Sequence, residues 1–237
     1  MLRRNLLRAP AIAGLAGLAG SRAFARPGTS GAGDFHRALK SHPWLLAYRS
    51  VPEHRYEATA TISGRLPDGL RGTLYRNGPA RYEIGSFRYQ HWFDGDGMMQ
   101  AYRIGDGAVR HQARMIETSK FLAEEAAGRA LFRGFGTVPP DPRPLAGPDT
   151  ANPGNISVLQ HGGRLLALWE AGSPWEIDPD TLATRGLHTF SEETRGVPFS
   201  AHPRLEPDGH LWNFGYASGA GVLVLWHVGP DGRLQSG

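Results

Sequence analysis

The chain has 237 residues, of which 40% are apolar, and its formal net charge is +4. This length and apolar content exclude a disordered protein and suit one folded domain or part of a larger one. The sequence contains no cysteine, which excludes disulfides, thiolate zinc sites and cysteine nucleophiles, so a metal ion would need nitrogen or oxygen ligands. The positive charge comes almost wholly from arginine without a dense basic run, which argues against nucleic acid as a partner.

Residues 1–25 have the pattern of a targeting segment. Arg3 and Arg4 precede a weakly apolar run rich in alanine, glycine and leucine, and residues 23–25 (Ala-Phe-Ala) match a small-x-small cleavage pattern. The run is too short and too glycine-rich to cross a bilayer, which takes about 20 apolar residues. The pattern predicts export to the periplasm by a twin-arginine-like signal. The alternative is a mis-assigned start codon, with the protein in the cytoplasm.

From residue 56 onward, short strand-like runs alternate with glycine-rich turns, among them residues 105–107 (Gly-Asp-Gly) and 161–163 (His-Gly-Gly). Residues 26–55 precede them as a predicted N-terminal extension, whose glycine- and serine-rich start at residues 26–33 is predicted to be flexible. The predicted strands are residues 56–63, 72–75, 99–104, 164–169 and 221–228. We therefore predict an all-β fold over residues 56–237, with the repeated meanders that are typical of propeller blades. The residues themselves show no strict repeat.

One segment departs from the strand pattern. Residues 119–133 contain good helix formers at helical spacing, which predicts one short helical insertion with Ser119 as a candidate N-cap. Residues 134–153 are crowded with prolines and are predicted to be a loop. Long loops in β architectures commonly reach over a functional face, although they also serve as solvated connections.

The densest special sequence is residues 91–97, His-Trp-Phe-Asp-Gly-Asp-Gly. Its aspartates suggest a calcium loop, but an EF-hand needs an oxygen ligand where Met98 stands and a later glutamate that is absent. We interpret the sequence as a tight turn, in which the glycines adopt positive φ angles and Asp94 and Asp96 bond backbone amides. His91, beside two aromatic residues, is interpreted as a hydrogen-bonding group at the edge of an aromatic strand.

His202 is the strongest candidate for a metal ligand. It precedes Pro203, and proline biases the preceding residue toward extended backbone, so His202 is predicted at the end of a strand. Such a rigid position suits an imidazole that aims one ring nitrogen at a metal. A lone histidine is more often a structural hydrogen-bonding group, so spacing alone leaves both roles open. No pair at helical or strand ligand spacing occurs among the other histidines. These are His36, His42, His54, His111, His161, His188, His210 and His227.

Glu170 follows the apolar run at residues 165–169. A carboxylate that enters a protein interior is costly unless it is paired, and a metal-bound histidine usually donates its second N–H group to a carboxylate or carbonyl. Glu170 is therefore a candidate partner of a metal-ligating histidine. The alternative is a glutamate at a strand end that faces water.

Several segments, in one order along the chain, resemble the carotenoid cleavage oxygenase family, which includes the retinal-pigment-epithelium isomerase, the apocarotenoid oxygenases and the lignostilbene dioxygenases. The resemblance covers nearly all of residues 56–216, and several independent motifs in one order make it specific. The matching residues are 66–67, 70–79 (Leu-Arg-Gly-Thr-Leu-Tyr-Arg-Asn-Gly-Pro), 91–98, Arg114, Thr118, Asn155, 166–170 (Leu-Ala-Leu-Trp-Glu), 178–179, 181–182 and 199–204 (Phe-Ser-Ala-His-Pro-Arg).

The resemblance implies part of a seven-bladed β-propeller, roughly the first half of its blades, with Fe(II) on the propeller axis. In this family four histidines bind the iron, and outer glutamates support three of them. By this resemblance His202 is the first iron ligand and Glu170 the first outer glutamate, whereas the Phe-Asp-Gly-Asp-Gly run is structural. The implied reaction is oxidative cleavage of a conjugated carbon–carbon double bond by dioxygen. The implied substrate is an apolar polyene or stilbenoid, which yields two carbonyl products.

Family members are markedly longer than this chain, and the other three iron histidines of the family lie beyond Gly237. We therefore expect an N-terminal portion of the parent enzyme, without dioxygenase activity on its own. The alternative is a non-catalytic fragment, or an apolar-ligand-binding propeller module without iron chemistry. The sequence does not determine which substrate is used or whether the parent enzyme cleaves or isomerises it. It also does not determine whether the protein contacts a membrane or what its oligomeric state is.

Overall fold

The computed structural model describes residues 26–27, 31–217 and 220–235, and the predicted targeting segment at residues 1–25 lies outside these ranges. Strands dominate the described residues and assemble into separate sheets without forming a closed one. The all-β prediction is therefore confirmed. In this part of the chain, no helix is long and apolar enough to cross a membrane.

Three antiparallel sheets follow one another along the chain. The described residues contain the strands β1 (Arg26–Pro27), β2 (Arg55–Thr59), β3 (Gly72–Arg81), β4 (Glu83–Ile84), β5 (Phe87–Arg88), β6 (Asp96–Gly105), β7 (Ala108–Met115), β8 (Thr137–Val138), β9 (Ser157–His161), β10 (Arg164–Leu168), β11 (Trp175–Ile177), β12 (Thr184–Leu187), β13 (Arg204–Leu205), β14 (Leu211–Ala217) and β15 (Val222–Val228). The first sheet has the order β2-β7-β6-β3, the second β12-β11-β10-β9 and the third β13-β14-β15. Short pairs are formed by β4 with β5 and, in parallel, by β1 with β8.

The tight hairpins form where the sequence predicts them. Asp106 and Gly107 join β6 to β7 with φ angles of 51° and 71°, and Gly162 and Gly163 join β9 to β10 with φ angles of 55° and 74°. Two consecutive residues with positive φ define the turn whose twist matches that of paired strands, and glycine adopts this conformation at no steric cost. These turns therefore set the register of both hairpins.

Strands form at both predicted positions, residues 56–63 and 72–75, although the first ends at Thr59, and the two are not neighbours. They correspond to β2 and β3, which occupy opposite edges of the first sheet with β7 and β6 between them. The second of these strands is longer than predicted, because β3 pairs with β6 along its whole length, as far as Arg81. Pairing with a distant partner is not visible in the local residue pattern.

The helices differ from the prediction in number and in bounds. The described residues contain α1 (Ala32–Ser41), α2 (Ser119–Ala127) and four short 3-10 helices at Pro43–Tyr48, Trp92–Asp94, Pro148–Ala151 and Glu192–Thr194. The predicted insertion is α2. It ends at Ala127 because Gly128 turns left-handed with φ 60°, and its N-cap is Thr118 instead of Ser119. Among the described residues from 56 onward α2 is the one α-helix, as predicted, whereas α1 lies in the N-terminal extension and begins at the end of the segment that we expected to be flexible.

Strand β10 is buried on both faces, which explains its continuous apolar sequence. Leu165 and Ala167 pack in the core against the first sheet, whereas Leu166 and Leu168 pack in the core against the third sheet. Successive side chains of a strand point to opposite faces, so a strand between two cores needs apolar residues at every position. The first core also contains Met99, Ala101, Ile116, Trp175, Ile177 and Leu182. The second core also contains Phe199, Ala201, Leu211, Trp226 and Val228.

A buried network of ion pairs joins α2 to the first sheet. An oxygen of Asp96 lies 2.8 Å from Lys120 Nζ, and its other oxygen lies 2.8 Å from a guanidinium nitrogen of Arg81. Lys120 also contacts Glu124 at 2.8 Å, and the Tyr89 hydroxyl donates to Glu124 at 2.7 Å. Burial lowers the pKa of Lys120, but the charges of Asp96 and Glu124 outweigh burial, so this pKa is raised overall. Burial, followed by the charge of Glu124, raises the pKa of the Tyr89 hydroxyl.

The Asp-Gly-Asp-Gly sequence is structural, but it does not form the predicted tight turn. Gly95 has φ −68°, and Gly97 also lacks a positive φ angle. A Cβ atom at Gly97 would lie 2.5 Å from the carbonyl oxygen of Gly154, so close packing requires glycine here. Asp94 accepts a hydrogen bond from the backbone N–H of Gly136, in the loop after α2. A bond from Asp94 to a backbone amide was predicted, although within a tight turn. The role predicted for Asp96 is wrong, because its carboxylate forms ion pairs.

Asp96→Asn is expected to lower the free energy of unfolding by about 3–5 kcal/mol, because it leaves Arg81 and Lys120 beside a neutral amide in a buried site. The measurement is urea-induced unfolding followed by circular dichroism. Asp68→Asn is the matched control, since it removes the charge from an exposed pair with Arg65. It is expected to change the unfolding free energy by at most about 1 kcal/mol. Equal effects of the two substitutions would contradict the importance of the buried network.

Candidate metal-binding site

His202 and Glu170 are in direct contact. The Nε2 atom of His202 lies 2.7 Å from Oε1 of Glu170, and the second carboxylate oxygen accepts a longer bond of 3.4 Å from the backbone N–H of Ala201. The two side chains are 68% and 45% exposed, so Glu170 is paired and also reaches water. The carboxylate holds the imidazole through Nε2, which leaves Nδ1 as the ring nitrogen available to a metal ion.

Neither residue lies in a strand. Glu170 lies in the turn after β10, and His202 lies in the connection before the two-residue strand β13. The predicted strand-end position of His202 is therefore wrong in detail. The turn and the connection are brought together because β10 and the third sheet share the second core, which includes Phe199 and Ala201 from the segment that leads to His202.

Buried polar contacts hold the backbone just before His202. The Ser200 N–H donates to the Phe214 carbonyl at 2.9 Å, and the Ser200 hydroxyl donates to Asn213 Oδ1 at 2.9 Å. Asn213 returns a hydrogen bond from Nδ2 to the Ser200 carbonyl at 2.8 Å. Both side chains are buried, at 1% and 6% exposure, so water does not compete for these bonds. The reciprocal pair fixes the position from which His202 projects.

The described residues contribute one candidate ligand to an iron site. Among them, no group of three or more histidine, aspartate or glutamate side chains is placed to hold a metal ion. His202 fits the donor chemistry of a metal-ligating imidazole, because one ring nitrogen faces a carboxylate and the other remains available. It would hold Fe(II) only together with further ligands.

A cavity of about 530 Å³ reaches the turn that carries Glu170. Trp169 and Ala171, on either side of Glu170, contribute to its wall, whereas Glu170 and His202 do not. The proline-rich loop predicted at residues 134–153 supplies further wall residues, among them Phe135 and Leu145. This loop therefore encloses a mostly apolar space next to the candidate site.

His91 is not part of the candidate site. Its Nδ1 accepts a hydrogen bond of 3.1 Å from the backbone N–H of Phe93, at the start of the 3-10 helix Trp92–Asp94. The predicted hydrogen-bonding role is confirmed, but the predicted strand position is wrong. One histidine pair was not predicted from the sequence: Nδ1 of His210 lies 3.0 Å from Nε2 of His227. Only the register of the β14–β15 hairpin, which sets Trp212 opposite His227, would have disclosed it.

Comparison with known families identifies the class of protein. The sequence profile of the retinal pigment epithelial membrane protein family matches residues 48–236. The chain therefore belongs to the carotenoid cleavage oxygenase family, as its motifs predicted.

The relatives of this chain are named oxygenases. Apocarotenoid-15,15'-oxygenase of Synechocystis is 39% identical over 211 residues, which are 84% of this chain and 43% of that protein. Resveratrol cleavage oxygenase 1 of Aspergillus fumigatus is 34% identical over 178 residues, which are 73% of this chain and 35% of that protein. The solved structure of cobalt-substituted Synechocystis apocarotenoid oxygenase matches with a TM-score of 0.69 and 35% identity, over 81% of this chain and 43% of that one. The chain thus spans less than half the length of these relatives, and its sheets correspond to part of their β-propeller.

Asn213→Ala is expected to lower the free energy of unfolding by about 1–3 kcal/mol, because it leaves the buried hydroxyl and carbonyl of Ser200 without partners. Urea-induced unfolding followed by circular dichroism measures the change. Gln160→Ala, at an exposed position of β9, is the control and is expected to stay within about 0.5 kcal/mol of the original chain. A loss for Asn213→Ala no larger than that of the control would show that these bonds do not hold the segment before His202.

Proposed function

We propose that these residues form part of a non-haem Fe(II) oxygenase that cleaves a conjugated carbon–carbon double bond of a carotenoid, apocarotenoid or stilbenoid. The observation that carries the proposal is the 2.7 Å contact between His202 Nε2 and Glu170 Oε1 in a member of this family. Bound iron would supply the activation of dioxygen, and cleavage would give two carbonyl products.

In this proposal His202 and Glu170 act as a unit. His202 would donate one imidazole nitrogen to iron, while Glu170 accepts the N–H of the other nitrogen. A carboxylate in this place fixes the tautomer and orientation of the ring, and it raises the basicity of the ligating nitrogen. It also offsets part of the charge that a metal ion would bring. The backbone clamp between Ser200 and Asn213 limits how far the imidazole can move.

An apolar, conjugated substrate suits the cavity beside Glu170. The side chains of Phe93, Phe135, Leu145 and Trp169 contribute to its wall. Lys120 also lines the cavity, but its ammonium group is held by two carboxylates inside the protein. Two of the relatives are named for apocarotenoid and resveratrol, which are conjugated and largely apolar molecules.

A chimera tests this function. In the Synechocystis apocarotenoid oxygenase, the segment that this chain matches is replaced by the corresponding residues of this chain. A chimera of that oxygenase with another family member has been crystallised. We expect the chimera to cleave an apocarotenal in the presence of Fe(II) and dioxygen, with aldehyde products resolved by chromatography. The present chain alone is expected to form no product.

Variants of the same chimera separate the roles of the residues. His202→Ala is expected to abolish cleavage and to reduce the iron content of the purified protein. Glu170→Gln is expected to reduce activity by about 10–100-fold, the usual effect of removing a partner of a metal ligand. His54→Ala, at an exposed histidine far along the chain from Glu170, is the control and should retain activity. A folded chimera without cleavage, or one that is unaffected by His202→Ala, would contradict the proposal.

The alternative function is an apolar-ligand-binding module without iron chemistry, and the cavity is the observation in its favour. It predicts that the present chain binds resveratrol or an apocarotenal unchanged, with an affinity that Fe(II) and His202→Ala do not alter.

Export by the segment at residues 1–25 is a further part of our proposal, and cell fractionation tests it. Peripheral membrane contact is also proposed, because Phe135 is 70% exposed beside the cavity.

A further inference from the structure

Two imidazoles face each other at one end of the third sheet. Nδ1 of His210, just before β14, lies 3.0 Å from Nε2 of His227, near the end of β15. Both residues are half-buried, and the oxygenase function proposed above uses neither of them. The pair lies away from the segment that carries His202, because Ser200 bonds to Phe214 and the four residues from His210 to Phe214 span about 13 Å along β14.

The distance between the two nitrogens is the distance between neighbouring ligands on one metal ion. A histidine nitrogen binds a transition metal at about 2.0–2.1 Å. Two such bonds at a right angle place the nitrogens about 2.9 Å apart, whereas a tetrahedral angle places them about 3.3 Å apart. The observed 3.0 Å between His210 and His227 fits right-angled positions, which Cu²⁺ and Ni²⁺ prefer.

The surroundings fix the backbone that carries His210 and the ring of His227 before any metal arrives. The turn before His210 is fixed by a bond from the His161 ring to the Gly209 carbonyl at 2.9 Å and by a bond from the His210 N–H to Asp208 Oδ1 at 3.0 Å. On the other strand, the ring of His227 stacks on Trp212, with the ring centres 4.0 Å apart and the planes 3° from parallel. A site whose ligands are already oriented loses little freedom on binding.

We propose that His210 and His227 form a two-histidine site for a divalent transition metal, with Cu²⁺ as the preferred ion. In the metal-free pair one of the two facing nitrogens carries a proton that the other accepts. On binding, this proton moves to the second nitrogen of its own ring, so both rings stay neutral and both facing nitrogens bind the metal. Water fills the remaining positions on the ion.

Titration of the tag-free chain with Cu²⁺ at neutral pH, followed by calorimetry, tests the site. His210→Ala and His227→Ala are each expected to lower the affinity by about 100-fold, because a bidentate site becomes a single ligand. The double substitution should cause little further loss. His42→Ala and His202→Ala are the controls and should leave this affinity unchanged. Ni²⁺ and Zn²⁺ should bind more weakly than Cu²⁺.

Trp212 provides a second measurement on the same site. Because its ring stacks on His227, bound Cu²⁺ should quench its fluorescence, and Trp212→Phe should reduce the quenching while the chain still binds Cu²⁺. Circular dichroism of each histidine variant verifies that it is folded. Folded His210→Ala and His227→Ala variants that bind Cu²⁺ as tightly as the original chain would overturn the proposal. Loss of binding in His202→Ala alone would overturn it too, by assigning the metal to the other site.

Discussion

The buried carboxylate of Asp96 is the constraint on which the first half of the structure depends. It is fully buried at the start of β6, and it is stable there because Arg81 and Lys120 approach it from the sheet and from α2. Lys120 in turn binds Glu124, which accepts backbone N–H groups from the residues just after α2. One charge therefore fixes the helix on the sheet and the start of the loop that lines the cavity.

The candidate site depends on a different principle, which is the sharing of one core by two sheets. Strand β10 contributes to the second core and then turns at Glu170, while the segment before His202 enters the same core through Phe199. Glu170 and His202 meet because both chain segments leave this core at neighbouring points. Their contact is polar and partly exposed, so it adds little to stability and is available for chemistry.

The sequence predicted the fold class and the hairpin turns at Asp106 and Gly162, because these depend on local residue chemistry or on family motifs. It missed which strands are neighbours, since β2 and β3 look like a hairpin yet lie on opposite edges of a sheet. It also assigned Asp96 to a turn, because the cations that neutralise it come from residues far away in the chain.

The candidate metal ligands also differ in whether sequence motifs or only strand pairing could reveal them. Glu170 and His202 could each be named as candidates because each lies in a motif of the family. The contact of His210 with His227 has no such motif, and it follows only from the register of two strands across a turn. The spacing of residues along a single helix or strand cannot predict a pair that forms between two strands.

The double burial of β10 has a consequence for strand alignment. In a strand with one face exposed to water, a register shift by one residue would expose the apolar side chains, which costs free energy. The four apolar residues of β10 give no such penalty, since either face meets hydrocarbon. The register of β10 must then be set by the tight turn at Gly162 and Gly163 and by the small volume of Ala167. The smallest residues of this hairpin therefore determine how its strands align.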